Sequence, residues 1–332
     1  MQTKRSSAST VDRAAISARG ASKIFESGDG VHDLDLDVAA GSIFGFIGPS
    51  GSGKTTTVRM FTGVVEPDEG TIEVLGEDPT RFDTATRSRL GYLPQLSVLY
   101  PQLTVGENLR FFAALYGLRG KRSRSQRNEV LEFVELADDE GKRVDEISGG
   151  MQRRLSLAAA LVHDPEMIFL DEPTAGVDPM LRRRFWDRFT DLRDEGRTLF
   201  VTTQYVGEAA YCDQVGVLDE GRLLIVDTPD GLRRAAFGGD VIDVEFAVPP
   251  RDELVAEITE AVSASSTERR GSVLRVVVDE AATALPELTA WLSSRGVEIV
   301  GAEEHLPPYD DVFVELVERF RAQSAAGVVS DR

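Results

Sequence analysis

Cysteine is nearly absent from this chain. Of 332 residues only Cys212 carries a thiol, which excludes an internal disulfide. Histidine is almost as scarce, at positions 32, 163 and 305, so a structural zinc site lacks the ligands to form, and Cys212 reads as a small buried apolar residue. No apolar run approaches the length of a membrane span, and residues 1–13 lack the apolar centre of a secretory signal, so the expected location is the cytoplasm. Positive charge is short as well. Against 56 acidic residues stand 37 basic ones, a net charge of −19, which argues against a general affinity for nucleic acid or anionic lipid. Lysine supplies only five of those cations, at positions 4, 23, 54, 121 and 142. That acid-rich, lysine-poor balance fits a salt-accumulating cytoplasm or an ordinary acidic protein of a GC-rich genome. The length suffices for one large domain and one smaller one, each with its own core.

One of the five lysines stands in the most informative stretch, Gly48-Pro49-Ser50-Gly51-Ser52-Gly53-Lys54-Thr55-Thr56. The apolar run at 43–47 precedes it and a helical pattern at 57–61 follows, giving a short buried strand, a glycine-rich turn and a helix in that order. Glycines let the backbone turn sharply and aim successive N–H groups inward, and the helix N-terminus adds about half a positive charge, so a polyphosphate fits there. Lys54 would reach the β and γ phosphates, and the Thr55 hydroxyl would ligate a bridging Mg²⁺.

Along the chain, residues 1–13 read as a disordered head and 15–19 as a first strand. Phe25, ahead of the turn at 27–30, is either a platform on which a base stacks or a plain core residue. Strands follow at 31–38, 69–74 and 90–93, the last ending at Pro94-Gln95. From there to about 165 the apolar spacing turns helical, at 104–116, 127–136 and 151–162, as if a helical subdomain had been inserted. Ser148-Gly149-Gly150 opens the last of these helices. A hydroxyl, bare N–H groups and a positive helix end make a second anion site without a lysine, though the same residues also suit an ordinary N-cap.

The buried strand at 167–170 ends in Asp171 and Glu172, at the strand end where α/β sheets bind ligands. Asp171 can hold a Mg²⁺ shell. Glu172 can orient and deprotonate a water attacking in line on a phosphoryl group. Beyond 237 the pattern reads β, α, β, α, β and a closing helix at 310–316, with no clustered His or Cys and no glycine-rich cradle.

Taken together, the cradle, Pro94-Gln95, Ser148-Gly149-Gly150, and Leu170-Asp171-Glu172-Pro173-Thr174-Ala175-Gly176-Val177-Asp178-Pro179 resemble the ATPases of ATP-binding cassette (ABC) transporters, and most closely single-cassette subunits of drug-exporter type. The likeness covers about residues 15–237. It implies an α/β P-loop NTPase cassette with a mixed sheet core and an inserted helical subdomain, plus a small α+β C-terminal domain. The expected bounds are a cassette over 14–237 with its helical part at about 96–165, a dimerisation or regulatory domain over 240–320, and a flexible tail over 321–332.

The resemblance also assigns roles. Phe25 would stack on adenine, and residues 48–56 would hold the phosphates of ATP. Thr55, Gln95 and Asp171 would surround Mg²⁺, while Glu172, Gln95, Gln204 and Lys54 would carry the hydrolysis. Ser148, Gly149 and Gly150 would meet the nucleotide of a second copy, and Asp178 would touch that copy. Two positions depart from the family's pattern: Met151 replaces a glutamine, and Gln204 stands where a switch histidine is usual. Gln204 still offers a neutral donor of similar reach. His163 lies on a different loop and reads as structural.

The implied protein is a cytoplasmic subunit, peripheral on the inner face of the membrane. It would form a homodimer of cassettes and drive a separate transmembrane permease that exports a drug-like or lipid-like substrate. The apolar residues of 96–103 are the expected permease contact. The alternative is a soluble ABC ATPase acting on ribosomes or nucleic acid, disfavoured by the acidic charge and by the single cassette without a coiled coil.

Overall fold

The computed structural model describes residues 14–330; the head expected at 1–13 lies outside them. Two compact units divide after Val226. The first opens with β1 (Ala14–Ile24), β2 (Gly30–Ala39) and β3 (Ile43–Ile47), followed by α1 (Lys54–Phe61) and β4 (Glu69–Val74). β2, β1 and β4 pair antiparallel in that order, and β2 alternates buried and exposed residues as a strand with one covered face should. β3 does not alternate: all five of its residues are buried, because it enters a second sheet covered on both faces.

The chain then adds a helical turn, α2 (Thr84–Arg87), and β5 (Leu90–Leu93), before the helices α3 (Val105–Leu115), α4 (Gly120–Phe133) and α5 (Gly149–Leu161). It returns through β6 (Met167–Asp171), α6 (Pro179–Asp194), β7 (Thr198–Thr203), β8 (Gln214–Asp219) and β9 (Arg222–Asp227). The second sheet has the order β5-β6-β7-β3-β8-β9, with β5, β6, β7, β3 and β8 running parallel. This order brings the C-terminal ends of β5, β6, β7 and β3 side by side. Phe200 centres the core between the sheets, stacked on Phe44 at 5.5 Å and edge-on to Phe61 at 5.3 Å.

α4 begins seven residues before the helical pattern expected from 127, because its first half, Gly120 to Gln126, carries no apolar residue to mark a face.

The second unit comprises α7 (Pro229–Phe237), β10 (Asp240–Phe246), α8 (Asp252–Ala261), β11 (Ser266–Arg270), β12 (Val273–Val278), α9 (Ala281–Ser294), β13 (Ile299–His305) and α10 (Tyr309–Ser330). Its sheet, ordered β11-β12-β10-β13, is antiparallel throughout. Ile242, Val244, Leu274 and Val276 on one face pack against Ile258, Leu288 and Leu292 of the helices.

Three features here differ from the sequence reading. β11 is an added edge strand of polar residues, whose lack of apolar alternation hid it. α7, expected to close the cassette, packs within the second unit. The Arg233 guanidinium lies 4.0 Å over the Tyr309 ring, and Arg319 donates to the Ala236 carbonyl at 2.9 Å. α10 continues to Ser330, so the tail expected from 321 begins inside a helix, consistent with a run of helix formers that meets no glycine before Gly327.

Candidate functional site

The cradle turn sits where β3 hands over to α1. Gly51 (φ 84°) and Gly53 (φ 106°) occupy the left-handed region. A Cβ at Gly53 would also lie 2.9 Å from the Gly30 carbonyl, so this position admits only glycine without strain. Lys54, 4% exposed, donates from Nζ to the carbonyls of Gly48 (2.8 Å) and Pro49 (2.9 Å). Its ammonium stands 3.7 Å from Glu172 Oε1. Burial holds the Lys54 pKa below its ordinary value, and Glu172 and Asp171 pull in the other direction.

The neighbouring strand ends supply the rest. Asp171, fully buried at the end of β6, accepts from Thr202 Oγ1 of β7 (2.6 Å) and from Thr55 Oγ1 (3.3 Å) through the same oxygen, Oδ1. Its other oxygen is buried with no hydrogen-bond partner among the described residues. A buried carboxylate oxygen left unsatisfied beside a cradle hydroxyl suits a hydrated hard cation such as Mg²⁺. Glu172 follows at φ 48°, held there by its N–H donating to Thr202 Oγ1 (3.0 Å). Gln95, after β5, donates from Nε2 to Glu172 Oε2 at 3.1 Å. Gln204, just past β7, accepts at Oε1 from Ser50 Oγ of the cradle at 3.0 Å, which leaves its amide nitrogen as the free donor.

Lys54, Thr55, Asp171, Glu172, Gln95 and Gln204 therefore form one constellation. Phe25 joins it at the rim: with Asp29, Gly30, Ser50, Gly51, Gly53 and Thr56 it lines an open cleft of about 450 Å³ that reaches Gln95 and Glu172. A flat exposed aromatic at one end of a phosphate cradle fits a base.

Four of the expected residues, Ser148, Gly149, Gly150 and Asp178, lie elsewhere, Gly150 half-buried beside Leu181. Ser148 is exposed at the N-cap of α5, where its hydroxyl accepts from the Met151 N–H at 3.3 Å, and Gly149 has open space around it. Asp178 is exposed too, and it caps α6 by accepting from the N–H groups of Met180 and Leu181, both at 3.0 Å. Among the described residues no side chain is hydrogen-bonded to the 148–150 turn as Lys54 is to the cradle.

Sequence reasoning missed two groups. The Arg153 guanidinium donates to the carbonyls of Pro173, Pro94, Gln95, Asp171 and Glu172. Thr174 donates to the buried Glu208 at 2.7 Å, linking the segment after Glu172 to the one after Gln204. Arg153 offered one faint signal, its place in the middle of the polar run Gln152-Arg153-Arg154; Glu208 offered none. His163 is buried and stacked on Tyr116 at 3.5 Å, and its Nε2 bonds the Leu90 carbonyl at 2.8 Å, away from the cradle. A carbonyl only accepts, so the neutral ring carries its proton on Nε2. Burial keeps its pKa below the ordinary histidine value.

A parallel sheet with a phosphate cradle after one strand and two carboxylates after another defines a P-loop nucleoside triphosphatase. The family description "ABC transporter" matches residues 31–175. The daunorubicin resistance ATP-binding protein DrrA3 of Streptomyces coeruleorubidus is 39% identical over 91% of this chain and 95% of its own length. The Nod factor export ATP-binding protein I of Burkholderia orbicola is 38% identical over 87% of this chain and 92% of its own. A solved ATP-binding subunit of an ABC transporter superposes with a TM-score of 0.62 at 27% identity, over 68% of this chain and 93% of that one. The chain belongs to the ABC transporter ATP-binding proteins, which bind and hydrolyse ATP.

Proposed function

We propose that this chain is the ATP-hydrolysing subunit of an exporter, docked on a separate transmembrane permease at the inner face of the membrane and working as a pair of identical cassettes. The observation that carries the chemistry is the meeting of four strand ends, which puts the amide of Gln95, the carboxylate of Glu172, the ammonium of Lys54 and the amide of Gln204 around one cleft. The relatives named for daunorubicin resistance and Nod factor export support export, of a drug-like or lipid-like substrate. They do not favour a soluble ATPase of ribosomes or nucleic acid.

In this reading Phe25 stacks on adenine, the N–H groups of 48–56 and Lys54 bind the phosphates, and Lys54 leaves its two loop carbonyls for phosphate oxygens. Mg²⁺ would be held by Thr55, Gln95 and Asp171 and would neutralise charge between the β and γ oxygens. Glu172, already held by Gln95, takes the proton of the attacking water. Gln204 donates to the γ-phosphate, with its carbonyl fixed by Ser50. Ser148-Gly149-Gly150, with Ser148 and Gly149 exposed, binds the nucleotide of the second copy, and Asp178 contacts that copy beside it.

Permease docking falls on the apolar surface formed by Leu96, Val98 and Tyr100, all exposed, with Phe111 edge-on to Tyr100 at 4.8 Å. Leu99 turns inward and takes no part. Among the described residues no helix is long and apolar enough to cross a membrane.

Glu172→Gln should bind MgATP as the parent does and lose turnover by about 10²–10⁴-fold. Steady-state ATPase beside equilibrium nucleotide binding checks this; near-normal hydrolysis would remove Glu172 from its role. The tagged chain, purified from membranes, should bring a polytopic membrane protein with it. Recovery of ribosomes or nucleic acid instead would favour the other reading.

A further inference from the structure

Arg153 stands on the first turns of α5, five residues after Ser148, and all five of its N–H groups are used. Nε donates to the Pro173 carbonyl at 2.9 Å. Nη1 donates to those of Pro94 (3.0 Å) and Gln95 (3.3 Å), and Nη2 to those of Asp171 (3.1 Å) and Glu172 (2.7 Å). Its neighbours face the other way. Gln152 donates to the Val144 and Ile147 carbonyls, and Arg154 to those of Val134 and Glu135, all within the helical insertion. α5 thus grips the insertion with two residues and the strand ends of the sheet with the one between them.

Of the carbonyls that Arg153 gathers, that of Asp171 ends β6 and the other four belong to the two loops whose side chains meet in the Gln95–Glu172 hydrogen bond. Neither loop is a helix or strand at that point, and Glu172 sits in the left-handed region, so both need an outside tether to keep their geometry. A planar fork with five donors can serve five divergent carbonyls at once; a lysine ammonium has three donors on one atom.

We propose that Arg153 is a positioning residue for hydrolysis. It fixes the Gln95 and Glu172 loops of its own chain to the helix whose N-terminus reaches the partner's nucleotide, so that one rigid helix serves both composite sites. The placement of that N-terminus rests on the function proposed above; the tether to Gln95 and Glu172 does not.

The test uses Arg153→Met, Arg153→Gln and Arg153→Lys in the full chain. Arg153→Met should lower kcat about 100-fold, the scale expected when a reacting group is misplaced by about 1 Å, with MgATP affinity within about threefold of the parent. Arg153→Gln and Arg153→Lys, which restore some of the donors, should fall between. Loss of nucleotide binding in step with turnover, or unchanged turnover in Arg153→Met, would overturn the proposal.

Purified heterodimers locate the effect. Paired with a Lys54→Ala chain, Arg153→Met retains only its own cradle and should be nearly inactive. Paired with a Ser148→Arg chain, it lends only its signature turn to an intact cradle and should keep single-site activity. The reverse pattern would show that Arg153 acts on the partner's nucleotide instead, and would also overturn the proposal. Failure of the composite-site reading shows separately, as full activity of the Ser148→Arg homodimer, and leaves the Arg153 homodimer result interpretable.

Discussion

The two glycine-rich turns of the first unit meet the rest of the chain in opposite ways. The cradle at 48–56 is closed in by its own fold: Lys54 is buried, its ammonium is held by two carbonyls, and the Glu172 carboxylate, just past β6, stands beside it. The signature turn at 148–150 has the same ingredients, glycines and a helix N-terminus, yet Ser148 and Gly149 face open space and, among the described residues, no lysine or arginine side chain bonds the turn. The difference shows that an anion site is made by what surrounds the turn as much as by the turn. In the proposed function, the turn left open is the one that a second copy of the chain meets.

The largest expected effect separates the two directly. Lys54→Ala removes charge-assisted bonds of about 1.5–3 kcal/mol, so MgATP affinity should fall about 10–100-fold. Ser148→Arg should leave affinity within about threefold while abolishing turnover. Nucleotide titration by fluorescence with parallel ATPase assays checks both.

Glycine substitutions sharpen the contrast at smaller scale. Gly53→Ala puts a Cβ at φ 106° and 2.9 Å from the Gly30 carbonyl, and should cost about 1–3 kcal/mol of stability. Gly149→Ala meets nothing and replaces glycine in the first turn of α5, so the fold should be unchanged or up to about 1 kcal/mol more stable while turnover drops. Denaturant midpoints and kcat for the two variants give the comparison; equal destabilisation would mean that the 148–150 turn is packed, not open.

The smallest effect is a pH dependence confined to the signature helix. His163, just past the C-terminal end of α5, is buried with its pKa depressed, so between that value and 6.5 the unfolded chain binds the proton that the fold refuses. Its contribution to stability is complete above pH 6.5 and declines as pH falls below it, by at most about 1.4 kcal/mol per pH unit. Thermal scans from pH 7.5 to 5.5 should show a shallower decline for His163→Gln than for the parent, with nucleotide affinity equal in both. An identical pH slope would mean that His163 is free to charge in the fold.

Much of the cassette's chemistry was legible in sequence because it depends on contiguous residues at strand ends. Lys54, Thr55, Asp171 and Glu172 could be placed from buried apolar runs alone, since such runs in a parallel sheet end where ligands bind. The linkage of Gln204 to Ser50 and of Gln95 to Glu172 was not readable, because strand order, which brings β5, β6, β7 and β3 together, leaves no mark on local spacing. Arg153 and the Thr174–Glu208 pair escaped for a related reason: their partners are carbonyls and hydroxyls distant in sequence, and such groups impose no pattern on neighbouring residues. In the second unit β11 was lost because an exposed edge strand carries little apolar signal, and the placement of α7 because a helix's own residues do not say which unit its apolar face packs in.

The central claim is that each nucleotide is handled by the cradle of one chain and the signature turn of another. The most direct measurement is the ATPase rate of purified heterodimers that pair a Lys54→Ala chain with a Ser148→Arg chain. Each homodimer should be inactive, and the heterodimer, with one intact cradle facing one intact signature turn, should recover roughly half of the parent's rate if the two sites turn over independently. A heterodimer as inactive as either homodimer, or a Ser148→Arg homodimer as active as the parent, would contradict the claim.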